Sequence, residues 1–178
     1  MNSFNPEALI SRLQSTPMVL SAITSKLAHS DAAWKPAPEH WSILEICCHL
    51  LDEERDDFPA RLRLTLANPD ATWPPLNLDQ AAEKRQYLTW NLSNTVSSFT
   101  LERESNVSWL RSLLSPLART DWERAHHHNV HGRFSARDLL TAWTAHDALH
   151  LRQIAKRLHQ LAARDGGDAA RIEYAGDW

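Results

Sequence analysis

Residues 144–154 read TAHDALHLRQI, with His146 and His150 four apart and Asp147 between them. Four residues is one helical turn, so on a helix both imidazoles leave from one side. Taking Leu139 as zero and stepping about 100° per residue, Trp143 and Leu161 fall at about 40° and Ile154 at about 60°. On the same wheel His146 falls at about 340° and His150 at about 20°, in the middle of that apolar stripe. A buried imidazole must find partners for both ring nitrogens. A metal ion is the simplest partner for two of them, because neutral imidazole is the commonest protein ligand for zinc-like ions. The other reading is that the histidines are held by core backbone or by one another.

A third histidine stands on a second amphipathic stretch. With Ile43 as zero, Ile46, Cys47, Leu50 and Phe58 fall within about 60° of one line, and His49 lies at its edge at about 240°. Glu54 falls in the middle of the stripe at about 20°, while Asp52, at about 180°, is expected to point outward. Three histidines on two helices leave one face of an ion open, the pattern of a catalytic centre; structural zinc sites fill all four positions. His49, His146 and His150 are therefore the candidate metal ligands. Glu54 is the candidate catalytic residue, as a general base or, equally well on this geometry, as the partner that holds a water or a liganding imidazole.

Four helical stretches must position these groups. The first runs from about Pro6, a residue suited to a first helical turn, to His29. The second opens at Ser42, with Glu45 three residues on as a capping box, and runs to Leu66. The third runs from Leu78 or Gln80 to Ser115, with a bend expected near Asn91–Asn94. The fourth follows Ser135 and Asp138, a second box-like start, and runs from Ala136 to Ala163. No convincing alternating strand pattern is present, so the expectation is an all-α, antiparallel four-helix bundle over residues 1–165 with a tail at 166–178. Its connectors are longer than a simple up-and-down bundle requires, and are expected to cover one end.

Composition narrows the class. Of 178 residues, 43% are hydrophobic and 23% charged, and the net charge is −3, ordinary for a globular chain large enough for one sizeable core. Glycine occurs four times, which leaves little room for tight β-turns. No basic run stands out, so no nucleic-acid partner is expected. No apolar run approaches the length that crosses a bilayer, and the N-terminus lacks the pattern of a secretory signal. Cys47 and Cys48, the only two cysteines, fit small core residues in a reducing cytoplasm. The eight tryptophans read as core and loop anchors. His126, His127, His128 and His131 read as a solvated loop rather than a second metal site, since consecutive residues rarely converge on one ion. Arg133, Arg137 and Arg152 could hold an anionic substrate, but the solvated-surface reading is stronger for each.

Two stretches carry a resemblance. WKPAPEHWSILEICCHLLDEE (34–54) resembles the W-x-P-x-x-x-x-W-S-x-x-E-x-x-x-H-L-x-D-x-E run of the DinB-like superfamily. DLLTAWTAHDALHLRQI (138–154) resembles its final-helix H-D-x-x-H-x-x-Q-I run, and HNVHGRFSARD (128–138) its polar loop before that helix. Cys47-Cys48 departs from the small or aliphatic residues usual there. The resemblance implies a four-helix bundle in which His49, His146 and His150 hold a divalent ion, usually nickel or zinc, completed by water. It also implies a cytoplasmic homodimer acting as a metal-dependent hydrolase or thiol-dependent S-transferase, with a small thiol and an electrophile as substrates. The alternative is a non-catalytic, stress-responsive metal-binding or dimerisation module.

Overall fold

The computed structural model describes residues 3–73, 75, 81–130 and 132–176. Helix α1 spans Pro6–Thr24, with the Asn5 side chain accepting from the Ala8 N–H at 3.0 Å. It ends earlier than His29 because Ala28 adopts an extended conformation; a short α2 follows over His29–Ala32. Helix α3 spans Ile43–Asp56, and its capping box forms as expected. The Ser42 hydroxyl accepts from the Glu45 N–H at 3.1 Å, and the Glu45 carboxylate accepts from the Ser42 N–H at 2.7 Å. The expected single helix to Leu66 is broken at Asp57, and α4 continues over Phe58–Ala67. Pro59 explains the break, since it has no N–H to give to the Arg55 carbonyl.

The expected third helix is also divided. Its proposed starts, Leu78 and Gln80, lie outside the described residues. A short α5 covers Ala81–Lys84, a 3-10 turn covers Tyr87–Thr89, and α6 begins only at Leu92 and runs to Ser112. Gln86, in the left-handed region at φ 51°, interrupts the helix, and the Asn91 side chain caps α6 by accepting from the Asn94 N–H at 3.0 Å. Helix α7 spans Ala136–Gly166, and the Ser135–Asp138 box forms at its start. Periodicity predicts no strand in the 117–134 connector, yet a small antiparallel hairpin forms there, β1 (Ala125–His128) against β2 (Gly132–Ser135). Gly132 at φ 67° supplies the backbone that a side-chain-bearing residue rarely adopts there.

The four long elements close a ring in which α1 touches α6 and α7, and α3 also touches α6 and α7. Paired residues fix the directions. Cys48 meets Thr95 and Arg55 meets Glu102, so α3 and α6 run parallel. Thr16 meets Asp147 while Ile10 and Leu13 share a cluster with Leu139 and Leu140, so α1 and α7 also run parallel. His49 meets His146, and Glu54 meets Trp143, so α3 and α7 run antiparallel. A parallel α3–α6 pair needs a return over the length of the bundle, which accounts for the long chain between α4 and α6. The core falls into two clusters. One is built around Leu44, Leu50, Phe99 and Ile154, the other around Leu13, Leu62, Leu110 and Trp143. A layer of buried polar side chains lies between them: Thr16, Glu54, Arg103, Asn106 and Asp147.

Candidate metal centre

The seam between α3 and α7 carries the three histidines. His146 Nε2 lies 3.3 Å from His49 Nε2 and 3.0 Å from His150 Nε2. All three ligand atoms lie within 4.8 Å of one another, and this is the one such group among the described residues. His49 and His150 are buried, and His146 is half-buried. Burial pushes the His49 ring down to about 3, with the His150 and His146 rings adding to the fall, and pushes His146 down to about 4. Burial lowers His150 as well. All three are therefore neutral at pH 7, the form that ligates.

The two spacings from His146 fit a shared ion. An ion with bonds of about 2.0–2.1 Å at tetrahedral angles holds its ligand atoms about 3.3 Å apart, close to the spacings seen. The outer nitrogen of His150, Nδ1, is 2.7 Å from Gln153 Oε1. An amide oxygen only accepts, so Nδ1 carries the proton and Nε2 presents its lone pair to the cluster. The Nδ1 atoms of His49 and His146 are buried without a protein partner. Trp41 packs on His49 at 4.9 Å and stacks on His150 at 6.4 Å, and Phe58 packs on His146 at 5.1 Å. These rings form an apolar wall around the imidazoles.

Glu54 does not sit among the histidine nitrogens. One of its oxygens accepts from Arg103 at 2.6 Å and from the Trp143 indole at 2.8 Å; the other accepts from Asn106 at 3.1 Å. Both oxygens are engaged in the polar layer, on Arg103, Trp143 and Asn106, so the partner Glu54 meets is neither of those expected for it, a water or a liganding imidazole. Its neighbour Glu53 lies closer to the cluster, with Oε1 3.7 Å from His49 Nε2. Burial, reinforced by Asp57, pushes the Glu53 carboxyl up to about 9. Residues 49 and 53 are four apart, a spacing that could have revealed the pair from sequence. Asp52 is also corrected. It is fully buried rather than outward, because Tyr87 donates to it and Arg85 pairs with it at 2.5 Å from the segment that covers this face of α3.

The other candidates lie apart. His126 stacks on Trp73 at 4.5 Å with Nδ1 2.9 Å from the Pro69 carbonyl, and His127 is exposed. His131 lies outside the described residues. Arg133 and Arg137 both engage Glu123, and Arg152 is exposed. Cys47 and Cys48 are buried, unpaired thiols, pushed up to about 12 first by burial.

Residues 12–154 match the DinB superfamily. The chain belongs to the DinB superfamily. Among solved structures it is similar to YfiT from Bacillus subtilis, described as a probable metal-dependent hydrolase with an unusual four-helix bundle topology. The TM-score is 0.78 at 15% identity, over 91% of this chain and 90% of that one; at that identity the likeness concerns the fold. No curated protein sequence matches the chain. Among the described residues no helix is long and apolar enough to cross a membrane.

Proposed function

We infer that this DinB-superfamily chain is a metal-dependent hydrolase whose divalent ion is held by Nε2 of His49, His146 and His150. The observation that carries this is the convergence of three neutral imidazoles on one point. An ion held there supplies Lewis acidity to a carbonyl or ester oxygen and acidifies a water or thiol beside it. His150 is held in the ligating tautomer by Gln153. Glu53, beside His49, is the carboxyl placed to move a proton at the ion, and Glu54 fixes the helices rather than touching substrate. Trp41 against His49 and Phe58 against His146 shield the imidazoles from water.

Nickel and zinc are the ions we favour, since imidazole suits both. The thiol-dependent S-transferase activity implied by the family likeness would use the same ion, with a small thiol and an electrophile. We place the protein in the cytoplasm as a homodimer, on the unpaired buried cysteines and on Met18 and Leu101, apolar side chains about 70% exposed on α1 and α6. The test is a panel of ester and amide substrates, with and without zinc or nickel, run beside a thiol–electrophile panel. Metal-dependent ester or amide turnover, lost in His150→Ala and in Glu53→Gln, is expected. Turnover only with thiols would move the assignment to S-transfer. Silence in both panels would return the chain to a non-catalytic metal-binding module.

A further inference from the structure

The buried polar layer converges on one side chain, Arg103 of α6, which is 1% exposed. One terminal nitrogen donates to the Leu13 carbonyl of α1 at 2.8 Å and to Asp147 of α7 at 2.6 Å. The other donates to Glu54 of α3 at 2.6 Å and again to Asp147 at 3.0 Å. A single guanidinium from α6 thus ties together the other three long helices. The Leu13 carbonyl is available because residue 17, which would donate to it in a regular helix, is a proline inside α1. Burial disfavours the charged guanidinium, but the bonds and charges of Asp147 and Glu54 outweigh it and push its pKa up.

Both carboxylates are tied directly to the metal-bearing helices. Asp147 follows His146 on α7 and also accepts from Thr16 at 2.7 Å. Glu54 lies five residues beyond His49 on α3 and receives the indole N–H of Trp143, three residues before His146 on α7, at 2.8 Å. The α3–α7 seam on which the imidazoles meet is therefore set by this network.

We propose that Arg103 is a positioning residue for the tri-histidine centre: by holding Leu13, Glu54 and Asp147 together it fixes the α3–α7 seam on which the imidazoles meet, and with it that centre's affinity for a divalent cation. This rests on the metal-centre reading above. The role differs from a merely structural one, because it sets ligand geometry and cation affinity in protein that is fully folded. Removing partners that orient ligands typically weakens metal binding about 10–100-fold.

The probe is cobalt(II), titrated into chelator-treated full-length protein, with affinity taken from competition against a chelator and geometry from the visible d–d absorption. Wild type takes up one cobalt per chain, and His150→Ala loses it. Arg103→Lys and Asp147→Asn, each checked for native helical circular dichroism, are expected to bind at least about tenfold more weakly with a shifted d–d spectrum. If both fail to fold, Thr16→Val, which removes only one bond to Asp147, decides by the same spectrum and a loss of more than about threefold, a smaller outer-partner effect. Wild-type affinity and an unchanged spectrum in the folded variants overturn the proposal while leaving the metal centre standing. Wild-type protein that takes up no cobalt overturns both.

Discussion

His49 offers a direct test of the neutral, desolvated imidazole cluster. In the folded chain its ring is pushed down to about 3 by burial and the neighbouring rings, while in the unfolded chain it titrates at about 6.5. A depressed folded pKa contributes stability that is complete above about pH 6.5 and is lost as pH falls toward the folded value, because only the unfolded state takes up the proton. Each pH unit in that window costs about 1.4 kcal/mol per histidine. Total stability against pH is a poor readout, because Glu53 and Asp57 are pushed up and act in the opposite sense. The difference between wild type and His49→Gln cancels those terms. Urea unfolding of both proteins, with chelator present, is followed by circular dichroism at pH 7.5, 6.5, 5.8 and 5.0. Between pH 6.5 and 5.0 the variant should gain about 2 kcal/mol on wild type, and above pH 7 the difference should be flat. A difference constant to within about 0.5 kcal/mol, well below one pH unit's worth, would refute the claim that His49 is buried as the neutral ring.

Three further outcomes follow from the core. Trp143→Phe removes the indole donor to the Glu54 carboxylate, a charged and buried acceptor, and should lower stability by about 2–3 kcal/mol; a urea midpoint unchanged from wild type would contradict the network. Pro17→Ala restores an N–H toward the Leu13 carbonyl that Arg103 already satisfies, so the gain should stay under about 1 kcal/mol, against the ~3 kcal/mol that an interior proline usually costs. Cys47 and Cys48 should be inert to a thiol reagent in native protein and should both react in denaturant, since burial lifts each thiol to about 12; rapid native labelling would contradict their placement.

His146 and His150 were legible because two signals coincide at them, one-turn spacing and position on an apolar stripe, whereas His49 stands at the edge of its stripe with no histidine one turn away. The capping boxes at Ser42 and Ser135 were legible for a local reason, since a few consecutive residues determine each one. What the helical wheel missed depends on neighbours it does not contain. Asp147 falls at about 80° on the α7 wheel, at the side of the apolar stripe. Only its pairing with Arg103 and Thr16 shows why a carboxylate is tolerated there. Asp52 points away from the α3 core stripe and is buried all the same, because Arg85 and Tyr87 fold over it from a segment whose course periodicity does not determine. Glu54 shows the same limitation. Angle places a carboxylate on a face, but only the indole, amide and guanidinium that reach Glu54 show that its oxygens are taken. Arg103 stands on the same α6 face as Val96, Phe99 and Val107, a signal that the wheel could have supplied. The helix breaks at Asp57 and Gln86 turn on a proline and on one left-handed residue, both local events within otherwise helical patterns.

The central claim is that Nε2 of His49, His146 and His150 share one divalent ion. Protein purified without chelator or immobilised nickel, examined by X-ray absorption at the edge of whichever metal it carries, tests this most directly. About one ion per chain is expected, with three imidazole nitrogens at about 2.0–2.1 Å and the signal gone in His146→Ala. An absorption edge with no imidazole scattering, or a full complement of metal in that variant, would contradict it.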